Sequence, residues 1–240
     1  MKEEFRNGLK DGIPIALGYF AVSFGLGIAM IAAGMTAIQG TVMSFTNLTS
    51  AGEFAGIRVI AAGGTLAEMI LTQLIINLRY SLMSLSLTQK LEPGMRFWKK
   101  LIIAFANTDE IFAVAVSHQK SLTLPYMLGL QSLPIAGWTV GTFLGAVAGN
   151  LMPKRLSVAM GIMLYGMFIA IVVPVAKKSR PVLIVALIAI MISAMFRYIP
   201  ALQGISEGLS IILCTLAAAT FGAFVFPVKE GNDSGEETDP

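Results

Sequence analysis

Apolar runs follow one another along this chain from Ile13 to Val228, and most are close to the length of a membrane-crossing helix. A hydrocarbon core of roughly 30 Å takes about 20 helical residues at 1.5 Å each. Charged residues are 13% of the chain, against roughly 25% in ordinary soluble domains. Inside lipid every backbone polar group must be satisfied within the protein, so runs of this length call for helices. The net charge of +3 does not point to nucleic acid, because the basic residues sit between the apolar runs, where they set membrane orientation. The expected fold is therefore an all-α polytopic membrane protein. A single transmembrane domain covers 13–228, after a cytoplasmic amphipathic lead at 1–12 and before an acidic, disordered tail at 229–240. The apolar stretch that follows the lead extends past Ala33, too long for the apolar region of a cleaved signal peptide.

The runs are Ile13–Ala33, Ala37–Ala62, Thr65–Leu87, Leu101–His118, Leu122–Leu151, Leu156–Ala176, Val182–Phe196 and Leu209–Val228. Pro14 suits a helix start, and Gly18, Gly25, Gly27 and Gly34 give the first run a small-residue stripe for close packing. The second run carries Thr46-Asn47-Leu48-Thr49-Ser50-Ala51-Gly52-Glu53 in its middle, so it is expected to be two half-helices joined by an unwound section near Ser50–Glu53, either a broken span or a re-entrant hairpin. Lys2, Arg6 and Lys10 mark the start as cytoplasmic, and the basic Lys90–Lys100 loop is expected on the same side. An even number of crossings must lie between them, so one of the three intervening runs does not cross. Six full crossings are the leading count, within a range of six to eight segments; Lys177–Arg180 then falls inside and Lys154-Arg155 outside.

An internal repeat is visible. Pro14-Ile15-Ala16 with Gly18-Tyr19 matches Pro134-Ile135-Ala136 with Gly137-Trp138, and Arg79-Tyr80 matches Arg197-Tyr198 at nearly the same spacing. The repeat would divide the domain into halves 13–119 and 120–228, and duplicated halves are common in membrane transporters.

Polar groups inside apolar runs are the candidates for function. Gln73, Asn77, Tyr80 and Ser84 share one helix face, whereas Glu68 and Arg79 lie on another, roughly 16 Å apart along the axis. The stripe lines a solute path or joins helices by hydrogen bonds; Arg79 holds a carboxylate, braces a broken helix or snorkels to the interface. Around Ser50, Gly52, Glu53 and Phe54 an unwound turn would offer amide N–H groups to an anion, and Glu53 could answer an ammonium, carry a proton or pair with Arg58. Asp109 and Glu110 are adjacent and point about 100° apart on a helix. One can face a cavity as a proton-coupling group while the other meets Arg58, Arg79 or Lys100; alternatively Thr108-Asp109-Glu110 caps a helix at the interface. One histidine, His118, and one cysteine, Cys214, do not make a metal site. No phosphate-binding loop, nucleophile elbow or dinucleotide fingerprint occurs, so neither a cofactor nor catalysis is expected.

Taken in order, Pro14…Gly18-Tyr19, Ala51-Gly52-Glu53-Phe54-Ala55, Asn77-Leu78-Arg79-Tyr80-Ser81-Leu82-Met83, Thr108-Asp109-Glu110 and Trp138…Gly141-Thr142…Gly145 resemble the AzlC family of branched-chain amino acid exporters, over about residues 10–150. The family usually has glutamine where this chain has Glu53. The resemblance implies the large subunit of a cell-membrane exporter of valine, leucine, isoleucine and similar compounds, working with a small membrane partner of the AzlD type. On that basis the Gly52 region and Arg79 are expected to take the solute carboxylate, and Asp109 or Glu53 the ammonium or a proton. Phe54, Ile57 and Phe24 are candidates for the side-chain pocket. A channel-like pore for ions or small solutes, and a non-transporting assembly subunit, are the alternative readings.

Overall fold

The computed structural model describes residues 1–151, 166, 169 and 172–227. They are helical throughout, with no strand among the described residues. The helices are α1 (Lys2–Ala32), α2 (Ala37–Asn47), α3 (Ala51–Ala61), α4 (Leu66–Thr88), α5 (Phe97–Phe105), α6 (Asp109–Ser117), α7 (Leu124–Leu151), α8 (Arg180–Tyr198) and α9 (Glu207–Val225). Five of them, α1, α4, α7, α8 and α9, are long and apolar enough to cross a membrane. Most of the expected Leu156–Ala176 segment, Lys154, Arg155 and the 229–240 tail lie outside the described residues.

The helices α1 and α7 form the central pair. They run parallel: Gly12 lies against Leu130, Ala16 against Gly137, Phe20 against Gly141 and Phe24 against Gly145. That register is nearly the Pro14–Pro134 spacing, so the matched residues of the repeat stand side by side. At Gly12 and Gly137 a Cβ would come within 2.6 Å of the partner backbone, which is why the two helices need small residues there. Of the expected stripe, Gly27 packs on α7. Gly18 has open space beside it, and Gly34, at φ 86°, forms the turn after α1. Pro14 is not a helix start. It lies inside α1, as Pro134 lies inside α7, so the 1–12 lead continues into the first long helix. The Arg-Tyr match does not share the parallel relation: α4 and α8 run in opposite directions, as follows from the packing of α9.

Two helix–break–helix units fill the space around this pair. α2 starts beside Met30, at the far end of α1, and descends until Ser44 meets Thr142. α3 then returns antiparallel to α4: Gly52 faces Asn77, Gly56 faces Gln73, and Gly64, just past its end, faces Glu68. Both ends of α2–α3 therefore lie at one end of the bundle, and the break lies halfway down. α5 leaves the 90–96 loop, Asn107 reaches Ser84 of α4, and α6 comes back until Lys90 meets the Val116 carbonyl. This unit enters from the opposite end, and the two breaks approach each other in the interior. Gly208 at the start of α9 packs on Thr72 and Val59, and Gly222 packs on Val185 of α8, so α9 runs with α4 and α8 runs against both.

Charge follows this arrangement. Lys2, Arg6, Lys10, Lys90, Arg96, Lys99, Lys100, Lys120 and Arg180 all fall at the end where α1 and α7 begin. The outer face of α4 repeats Leu66, Ile70, Leu74, Leu78, Leu82 and Leu85 every three or four residues, all exposed, as a lipid-facing strip requires.

Candidate functional site

The first break is Leu48-Thr49-Ser50, slightly earlier than the expected Ser50–Glu53. Leu48 (φ 51°) and Ser50 (φ 44°) both have positive φ, which non-glycine residues hold only when surroundings over-determine them. Glu53, in the first turn of α3, supplies that constraint. It is fully buried, and its carboxylate accepts from Ser44 Oγ (2.6 Å), Thr49 N (3.2 Å) and Trp138 Nε1 (2.9 Å). The polar face of α4 supplies the rest. Gln73 Nε2 donates to the Gly52 carbonyl (2.7 Å) and Tyr80 Oη to the Thr49 carbonyl (3.3 Å), while Asn77 Nδ2 donates to Gln73 Oε1 (2.9 Å). A Cβ on Gly52 would come 2.5 Å from Thr49 Oγ1 and 2.8 Å from Asn77 Oδ1, so only glycine lets α4 approach this closely.

The second break is Ala106-Asn107-Thr108. Asn107 Nδ2 donates to Ser84 Oγ (3.0 Å), so the same α4 stripe reaches both breaks. Thr108 stands at the N-cap of α6, but its side chain makes no cap bond; Tyr19 Oη lies 2.6 Å from Thr108 Oγ1 and 2.5 Å from Glu110 Oε2. Asp109 pairs with Arg79 at 2.8 Å, and the Arg79 guanidinium also donates to Tyr80 Oη (3.1 Å) and lies over the Tyr80 ring. Charged groups hold this break, and both members of the ion pair are nearly half exposed.

Between the breaks lies a cavity of about 420 Å³. Its floor is Thr108, Asp109 and Glu110 at the start of α6. Its roof is Leu48, Thr49 and Ser50 at the start of α3. Tyr19, Tyr80 and Trp138, with Pro14, Ile15, Gly18 and Val22, form the walls. The Tyr19 and Trp138 rings meet edge to face with centroids 5.2 Å apart. Carboxylates at the start of α6 thus face the break that leads into the N-terminus of α3 across a largely apolar enclosure, a setting suited to a small molecule carrying both charges.

Of the residues marked in the sequence, Ser50, Tyr80, Asp109 and Glu110 line this cavity. Gly52, Glu53, Gln73 and Asn77 stand behind the first break as its supports. Arg79 reaches the cavity only through Asp109 and Tyr80; it braces the second break, not the segment around Gly52. Phe54 lines a different space, between α3, α8 and α9, and Ile57 is buried. Phe24 runs along α7 beside Gly145. Arg58 pairs with Glu207, not with Glu53. Tyr19 and Trp138 were not marked as site residues, although the repeat carried the signal: they occupy matched positions, and the parallel register brings them together.

A family model described as AzlC protein matches residues 14–152. The Inner membrane protein YgaZ of Escherichia coli is 25% identical over 189 residues, 76% of this chain and 77% of that one. An uncharacterized membrane protein of Archaeoglobus fulgidus is 32% identical over 146 residues, 61% of this chain and 63% of that one. The Branched-chain amino acid transport protein AzlC of Bacillus subtilis is 24% identical over 149 residues, 61% of this chain and 58% of that one. No solved structure matches.

Proposed function

The chain belongs to the AzlC family, and we propose that this membrane protein is a secondary transporter that exports branched-chain or similar hydrophobic amino acids with proton coupling. The observation that carries the reading is the cavity between the two breaks, where carboxylates and a helix N-terminus face one another across an apolar wall. Its volume of about 420 Å³ falls within the roughly 300–1,000 Å³ typical of small-molecule sites. The name of the Bacillus subtilis relative, a branched-chain amino acid transport protein, supports the substrate class.

In this reading the two helix–break–helix units are re-entrant hairpins that enter from opposite membrane faces, with the basic end in the cytoplasm. The solute ammonium rests on Glu110, because Asp109 is already engaged by Arg79. The solute carboxylate rests at the first amides of α3, beside Ser50. The aliphatic side chain packs on Ile15, Val22, Leu48 and Trp138. Glu110 also carries the coupling proton, exchanging it as the ammonium arrives and leaves. A small membrane partner of the AzlD type completes the assembly. Counterflow of labelled valine in proteoliposomes, with and without such a partner, tests the proposal. Exchange in either preparation supports it; absence of exchange in both overturns it.

A further inference from the structure

A second and larger space, about 1190 Å³, lies between α3, α8 and α9. Ser50 lines the inner cavity and the next residue, Ala51, lines this cleft, so the first turn of α3 is the wall between the two. From there Phe54, Ala55 and Arg58 carry the lining along α3 toward the end of the bundle opposite the basic loops. Arg58, Arg197 and Glu207 share the cleft with Phe196 and Ile211. Charges of both signs from all three helices around the cleft indicate a space that holds water rather than acyl chains. Arg58 pairs with Glu207, the first residue of α9, and this bridge ties α3 to α9. α8 packs chiefly on α9 and buries none of its own residues, whereas α9 also packs on α4 and α3. The start of α9 is held by Ser206 to Glu68 as well as by Arg58 to Glu207, so opening the cleft means releasing the start of α9 from both helices.

We propose that this cleft is the water-filled outer vestibule of the solute path and that the Arg58–Glu207 pair is its gate. The inference rests on the transport reading. When α9 swings away, the first turn of α3 opens toward the vestibule. Arg58, released from Glu207, and Arg197 then present guanidinium groups to the carboxylate of the departing amino acid.

The chain's single cysteine, Cys214, lies on the cleft wall and reports on it directly. A thiol reacts through its thiolate, which forms in water and not in lipid. A membrane-impermeant methanethiosulfonate is therefore added to one face or the other of membrane vesicles. Labelling of Cys214 is expected only from the face opposite the basic loops. Glu207→Gln should speed it about two- to fivefold, the population shift expected of one partly exposed ion pair. The exchanged double variant, Arg58→Glu with Glu207→Arg, should return the rate toward wild type, which separates gating from misfolding. No labelling from that face, or a rate indifferent to Glu207→Gln, overturns the proposal. Valine counterflow on the same preparations keeps the two readings apart. Normal counterflow with an unreactive Cys214 sinks the vestibule alone. Gated labelling without counterflow sinks the transport reading and leaves the gated, water-filled cleft.

Discussion

The two breaks have the same outline and opposite chemistry. At Leu48–Ser50 one buried carboxylate, Glu53, is engaged by three donors and does not itself line the cavity. At Ala106–Thr108 the holding groups are Arg79–Asp109 and Tyr19–Glu110, and both acidic residues line the cavity. A solute cannot compete for the first set, but it can compete for the second. The first break is thus a fixed roof and the second a responsive floor. Variants at the first should cost stability, and variants at the second should cost transport.

The largest effect is expected at the roof. Glu53→Leu leaves the Trp138 indole N–H and the Thr49 N–H without their acceptor, at about 1–3 kcal/mol each, while the Ser44 hydroxyl keeps only Thr142 as a partner. The protein should melt many degrees lower in detergent or fail to accumulate. Glu53→Gln should stay within about 1 kcal/mol of wild type. Ser44 bridges residue 53 and Thr142, and Thr142 reaches the Trp138 carbonyl; these three contacts share two hydroxyl hydrogens, and a glutamine amide supplies a third. If the glutamine variant fell as far as the leucine variant, the charge rather than the bonding would hold the roof, and the contrast between the breaks would weaken.

Floor variants come next. Arg79→Ala should lower valine counterflow roughly tenfold or more while shifting thermal stability by less than about 1 kcal/mol, since the pair it breaks is nearly half exposed. A loss of stability comparable with that of Glu53→Leu would make the floor a scaffold as well. Glu110→Gln removes the proposed ammonium partner and should raise the KM for valine by about tenfold, the difference between a charged and a neutral acceptor. Tyr80→Phe is the mildest case. It removes the hydrogen bond donated to the Thr49 carbonyl and the more exposed one accepted from Arg79, and should cost about 0.5–1.5 kcal/mol, most of it from the first, readable as a small drop in melting temperature.

Much of the fold was legible in the sequence, because apolar length and the polar interruption at Thr46–Glu53 are local signals. The α4 stripe was legible as well, since helical phase alone puts Gln73, Asn77, Tyr80 and Ser84 on one face. What that face does was not. Gln73 and Asn77 meet backbone from another unit of the chain, and no periodicity states which partner a buried amide will find. Arg79 was seen to need a carboxylate, yet Asp109 became its partner only because α5–α6 enters from the opposite end to α2–α3. Glu53 illustrates the same limit: an acidic residue in an apolar run reads as a solute group until three donors are found around it. Tyr19 and Trp138 were within reach. Their places in the Pro-Ile-Ala repeat were visible, and only the parallel register of α1 and α7 was missing.

Gly18 offers the most direct measurement. It lines the cavity between the breaks, and nothing lies within 4 Å of where its Cβ would stand. Gly18→Leu should therefore fill the site without disturbing the fold, and could raise helix stability by up to about 1 kcal/mol. Valine counterflow should then be lost while the melting temperature is held or raised. Counterflow at the wild-type rate from a correctly folded Gly18→Leu protein would show that the solute does not pass between the two breaks.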